Sequence, residues 1–277
     1  MISATLVRNE TIKMTRFLPF RVTMLAFTVL IGFAFTQFHI AATRRPGSPA
    51  FALPGAWNSV LSDDSLGISL FFLSVLLVLL TSNEFTWRTA RQNVIDGLSK
   101  EEWFLGKLLI VPIVASFFFL IIIALGTIIA SVGNDPARTG PIIRAADVKL
   151  MAAFVLCQWG YGSLALLFST TVRSPGSVIG VFFLYAVFIE RLLALGIRSA
   201  SDRIAEVADL LPVATFNALI DRMQWDPETV SRATAAALQA GRPAPHVPDT
   251  ALLLGVAAGW ILLLLTVAFV SFRQRDL

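Results

Sequence analysis

The chain has 277 residues, of which 56% are hydrophobic and only 14% charged, and its mean hydropathy is +0.75. Soluble domains carry about 25% charged residues, so this chain lacks the polar surface that water demands and reads as one solvated by lipid. A net charge of +4 is too small to argue for nucleic acid, and no recognised nucleic-acid motif is present. The lone Cys157 excludes an intrachain disulfide and a cysteine-rich metal site.

At the N-terminus, Ile2, Leu6, Val7 and Ile12 alternate with Arg8, Asn9, Glu10 and Lys13 at helical spacing. Residues 1–16 are therefore predicted to form a helix resting on the membrane, with its basic side chains among the headgroups. The apolar run that follows is too long for a signal-peptide core, and no small-x-small site ends it, so it reads as a retained helix. About 20 apolar residues cross a 30 Å hydrocarbon layer. Six segments meet or approach that length: 17–38, 66–81, 108–131, 150–168, 175–195 and 250–271. The expected fold is an all-α polytopic membrane protein with six transmembrane helices and an N-terminal interfacial helix.

Six spans put both termini on one side. Half of the 22 basic residues fall on each side, so position decides. Arg8, Lys13, Arg16 and Arg21 flank the first span, and Arg173, Arg273 and Arg275 sit tightly at helix ends. The positive-inside rule then predicts cytoplasmic termini.

Between the first two spans, RRPGSPAFALPG reads as loop. Asp63 and Asp64 read as a solvated loop edge or as a cap on the second span. In the outer segment 196–249, SDRIAEVADLL predicts a short amphipathic helix on the outer face, which Pro212 should break or end. A further helix is expected over 227–240, and GRPAPHVPD as a loop. His39 and His246 are isolated, and no zinc set or pair of catalytic carboxylates can be assembled.

Inside the spans, Gln158, Trp159 and Tyr161 suit either a cavity wall or bonding between helices. Glu190 and Arg191 suit either a transport role or a reach to the headgroups. Gly176 and Gly180 have the small-xxx-small spacing of close helix packing.

The segment 82–107, SNEFTWRTARQNVIDGLSKEEWFLGK, is far longer than a connection requires. Glu84 and Arg88 stand four apart, which predicts an ion pair on one helix. Asp96 and Gly97 suggest a break. Ser99 and Glu102 have capping-box spacing, opening a second helix that runs through Lys107 into the third span. The first of these helices is placed to dock on a cytoplasmic partner.

On Glu84, Arg88, Thr89, Ser99, Lys100, Gly106 and Lys107, together with the six-span layout, the N-terminal helix and the basic-acidic tail Arg273, Arg275 and Asp276, the chain resembles the permeases of ABC-2 type transporters. That resemblance implies the ABC-2 fold, a bacterial inner-membrane location and a role in export. It implies two cytoplasmic ABC ATPase subunits as partners, a second permease, identical or related, and surrounding membrane lipid. Residues 84–96 would be the coupling helix, with Glu84, Arg88, Thr89, Arg91, Gln92, Ser99, Lys100 and Lys107 transmitting ATPase closure. Gln158, Tyr161, Glu190 and Arg191 are the candidate pathway or interhelix residues. No Walker A loop is present, so no cofactor is expected in this chain, and ATP and Mg belong to the partner subunits. A non-transporting scaffold or assembly subunit, a secondary transporter and a membrane enzyme are the competing readings.

Overall fold

The computed structural model describes residues 4–44, 51–53, 55–132, 141–172, 174–200, 202–224, 231, 235 and 249–274. Among these residues the secondary structure is helical, with no strand. Leucine, phenylalanine and alanine dominate the apolar runs, and in lipid each backbone N–H and C=O must be satisfied within its own segment, which a helix does. The helices are α1 (Ala4–Arg16), α2 (Leu18–Arg44), α3 (Trp57–Val60), α4 (Asp63–Thr86), α5 (Thr89–Ile95), α6 (Lys100–Val132), α7 (Ala145–Thr171), α8 (Pro175–Phe183), α9 (Glu190–Ala200), α10 (Pro212–Gln224) and α11 (Thr250–Arg273). A π turn, Leu184–Ile189, joins α8 to α9 into one long helix.

Six helices are long and apolar enough to cross a membrane, which marks a multi-pass membrane protein. Each expected span has its helix, extended by polar flanks at one or both ends. The bundle is uneven. About two thirds of the apolar window is buried in Trp57–Thr86 and Ala145–Thr171, against 22% in Leu18–Arg44 and 17% in Pro175–Ala200. The second and fourth spans are therefore the interior pair, and the first and fifth present most of their apolar surface outward.

Glycines set the closest approaches. A Cβ at Gly162 would lie 2.6 Å from Val111 Cγ1, so its absence seats α7 against α6. A Cβ at Gly126 would lie 2.5 Å from Val60 Cγ1, which fixes α3 on α6. By contrast, among the described residues nothing lies within 4 Å of a Cβ built on Gly176 or Gly180. Among the described residues the close packing expected there is absent, because both glycines are exposed and face away from the other described helices.

The connection expected as plain loop over 39–65 is more ordered. Helix α2 continues to Arg44, and Phe51, Leu53, Ala56 and Trp57 are buried. Trp57 Nε1 donates to Ile142 O at 2.7 Å, tying this segment to the start of α7. Ser62 caps α4, with Asp63 and Asp64 in its first turn, where carboxylates suit the helix dipole.

The outer segment also departs from expectation. Residues Asp202–Leu210 form a 3-10 helix rather than an α-helix. The 3-10 helix stops at Leu210, just before Pro212, as expected, and Pro212 also opens α10, a position where its missing N–H costs nothing. Helix α10 does not lie on a surface. It buries Val213, Phe216, Leu219 and Ile220 and packs between α7 and α11. A Cβ on Gly160 would sit 2.3 Å from the Phe216 ring, so that ring occupies the place of a side chain. Trp260 Nε1 donates to Leu210 O at 2.7 Å. Trp260 is ten residues into α11, about 15 Å along its axis. The 3-10 helix and α10 thus form a hairpin that descends into the bundle and returns. Of the expected helix over 227–240 only residues 231 and 235 are described, both helical, and His246, Arg173 and Arg275 lie outside the described residues.

Candidate functional site

Two polar groups stand inside this apolar bundle. The first lies where α1, α4, α5 and α6 converge. Lys107, on α6, is 2% exposed and donates to Glu10 Oε2 at 2.7 Å and to Glu84 Oε1 at 2.5 Å. Glu10 Oε1 accepts from Lys13 at 2.8 Å, and Glu84 Oε2 accepts from Trp103 Nε1 at 2.8 Å. Both carboxylates are thus engaged on both oxygens. Lys107 Nζ also lies 5.3 Å from the Trp103 ring centroid. Trp103 in turn stacks on Phe272 of α11 at 4.5 Å, which joins the last span to the cluster.

Burial pushes the Glu10 carboxyl up, but the neighbouring Lys107 and Lys13 ammonium groups outweigh it and hold its pKa below the ordinary value. Gly106 makes the approach possible, since a Cβ there would be 3.3 Å from Glu10 Cγ. Glu84 and Lys107 were legible as site residues. Glu10 and Trp103 were not. In the sequence Glu10 falls on the polar face of an interfacial helix, and its place among Arg8, Lys13 and Arg16 is the one sign of an ion pair.

The expected Glu84–Arg88 pair does not form. Helix α4 ends at Thr86, and Arg88 takes φ +57°, the left-handed region, so the two side chains leave one helical face. Glu84 turns inward to Lys107 instead. Past this corner, α5 runs from Thr89 to Ile95 and stops before Gly97, at φ +106°. Thr89 Oγ1 donates to Glu84 O at 3.3 Å, and Gln92 Nε2 donates to Asp96 Oδ1 at 2.9 Å. The expected capping box is present: Ser99 N donates to Glu102 Oε2 at 2.9 Å, and Glu102 N donates to Ser99 Oγ at 3.1 Å. Lys100 Nζ donates to Arg273 O at 3.3 Å, placing the end of α11 at this same face. Only Ala90 of α5 is buried, while Trp87, Arg91, Gln92 and Ile95 are exposed. The helix is a short, mostly exposed projection whose base is tied by the ion cluster.

The second group lies in the other half of the bundle. Glu190 is 3% exposed, and its Oε1 accepts from Ala214 N at 2.7 Å. It therefore caps the buried N-terminus of α10, whose first amides have no helical partner. The π turn aims it there. With α geometry, Glu190 would fall about 80° around the axis from Phe182, eight residues earlier. The wider turn rotates the chain less per residue and returns Glu190 to the buried face that Phe182 occupies.

Glu190, Arg191, Tyr161 and Asn217 line one cavity of about 460 Å3. Tyr161 donates to Asn217 Oδ1 at 3.2 Å. Gln158 is not part of it. Its Nε2 donates to Ser69 Oγ at 2.6 Å, which makes it a bond between α7 and α4. Trp159, 40% exposed, faces outward. No family model matches the chain, and no curated protein matches it either.

Proposed function

We propose that the chain is the membrane-spanning permease subunit of an ATP-driven transporter of the ABC-2 type, working in export. One observation carries the reading. A seven-residue helix projects between the second and third spans, exposed along most of its length, and its base is pinned by a buried Glu–Lys–Glu cluster. Such a helix gains little from its own fold. Exposed Trp87 and Ile95 beside Arg91 form the mixture of aromatic, aliphatic and guanidinium groups that anchors protein interfaces. Through those ion pairs a push on α5 would pass to α4, α6 and α1.

The fifth span supports a paired arrangement. It leaves Gly176 and Gly180 open at small-xxx-small spacing on a helix that is mostly unburied, a surface suited to a second permease. The cavity beside Glu190 supplies polar lining within the bundle. ATP and Mg would be held by the partner ATPase, and this chain would contribute the mechanical link.

The test is purification of the full chain in mild detergent from cells carrying its native neighbours. An ATPase subunit should co-purify with stimulated hydrolysis. The triple variant Trp87→Ala, Arg91→Glu, Ile95→Ser should release it while leaving the thermal midpoint of the chain unchanged. A preparation without any ATPase partner overturns the reading.

A further inference from the structure

A cavity of about 420 Å3 opens beside the ion cluster, between α1, α4 and α5. Its chemistry is graded. Leu79, Leu80 and Ile110 form one end. Leu80 lies four residues into the second span from Glu84, about 6 Å along the axis. Lys13 and Arg16 form the other end, at the corner where α1 gives way to α2, with exposed Trp87 beside them. An apolar end directed into the bundle and a cationic rim at its boundary match an amphiphile with an anionic head.

The charge count agrees. Among the lining residues, the Glu10 and Glu84 carboxylates balance the Lys107 and Lys13 ammonium groups, to which they are bonded. Arg16 remains, exposed and with no ion pair among the described residues. One guanidinium is left over at the rim, where Lys13 is still half exposed.

We propose that this cavity binds one anionic phospholipid, with its phosphate at Lys13 and Arg16 and the upper part of an acyl chain against Leu79, Leu80 and Ile110. Basic pockets between helices at a membrane surface hold anionic headgroups in this way. The lipid would bridge α1 to the base of α5, since Met14 of α1 and Thr89 of α5 both line the cavity. The proposal rests on the membrane topology and the cavity, and it stands whether or not the chain moves a substrate.

The test counts lipid retained by the delipidated full chain in native mass spectrometry, on titration with phosphatidylglycerol, phosphatidylcholine or inorganic phosphate. One phosphatidylglycerol should bind in preference to phosphatidylcholine. The double variant Lys13→Gln, Arg16→Gln should weaken it roughly thirtyfold, about 2 kcal/mol for two surface cations. Leu80→Trp, which fills the apolar end with the charges intact, should also weaken it, and Lys149→Gln, remote from the cavity, should not. Equal binding of the two lipids overturns the proposal, as does unchanged binding in both cavity variants. Displacement by equimolar inorganic phosphate overturns it too, because it would mean the rim takes phosphate without a chain.

Discussion

Glu10 Oε2 and Lys107 Nζ meet at 2.7 Å across 97 residues of sequence, and both side chains are almost wholly withdrawn from solvent. The contact ties the N-terminal helix to the start of the third span. Glu84 completes it from the second span, so three elements that would otherwise meet only through apolar packing share one charge cluster.

Removing the cation should be far worse than softening it. Lys107→Ala leaves buried Glu10 with Lys13 alone and takes the cation from part-buried Glu84, and breaking a buried pair from one side costs about 3–5 kcal/mol. The apparent unfolding midpoint in detergent should fall sharply. The triple replacement Glu10→Gln, Glu84→Gln, Lys107→Met should recover much of the loss, because no buried charge remains and Lys13, left without Glu10, is half exposed to solvent. A triple variant no more stable than Lys107→Ala would show that the cluster is not electrostatically coupled.

The Glu10 shift has a definite sign. Its folded pKa lies below the ordinary 4.5, so the contribution of its carboxylate is complete above that value and is lost as pH falls through the depressed one. Wild type should therefore exceed Glu10→Gln in stability at pH 6–8 by a constant margin. The margin should shrink only in acid, below the usual carboxylate range. Thermal melts of both proteins across pH 3–8 measure it.

Asp221 titrates in the opposite sense. Partial burial and the adjacent Asp63 carboxylate push it up to about 6. A raised carboxyl stabilises the fold at low pH and loses that contribution as pH rises through about 6. Asp221→Asn should be more stable than wild type at pH 7.5, and the two should converge near pH 4. The same melts test this, and a wild-type advantage at pH 7.5 would contradict it.

Gly160→Ala places a methyl group where the Phe216 ring lies, at a separation real atoms do not adopt. Overpacking of this kind costs about 1–3 kcal/mol. Adding Phe216→Leu should restore part of it, since the smaller side chain vacates the space. The double-mutant cycle, read by unfolding midpoints, should show coupling between these two positions.

Glu190→Ala should strip the cap from α10 and leave the Ala214 amide unpaired, at about 1–2 kcal/mol. Glu190→Gln keeps an acceptor oxygen and should cost less. Hydrogen exchange at the Ala214 amide would report the loss locally.

Composition and local spacing were enough for the features that depend on near neighbours in the chain. Six spans followed from apolar run lengths, because lipid imposes the same length on every crossing segment. The Ser99–Glu102 capping box, the break at Gly97 and the helix opening at Lys100 followed from short-range hydrogen bonding. Only the tertiary structure decided the partners. Glu84 bonds Lys107 rather than Arg88 because the chain turns left-handed at residue 88, a conformation that no i,i+4 rule anticipates. Glu10 joins them because Gly106, 96 positions later, lets α1 lie close. Pro212 not only follows the end of one helix but begins another, because α10 packs against α7, where Gly160 makes room for Phe216. Burial of that kind depends on which helices neighbour one another, and an apolar run reads the same whether it meets lipid or protein.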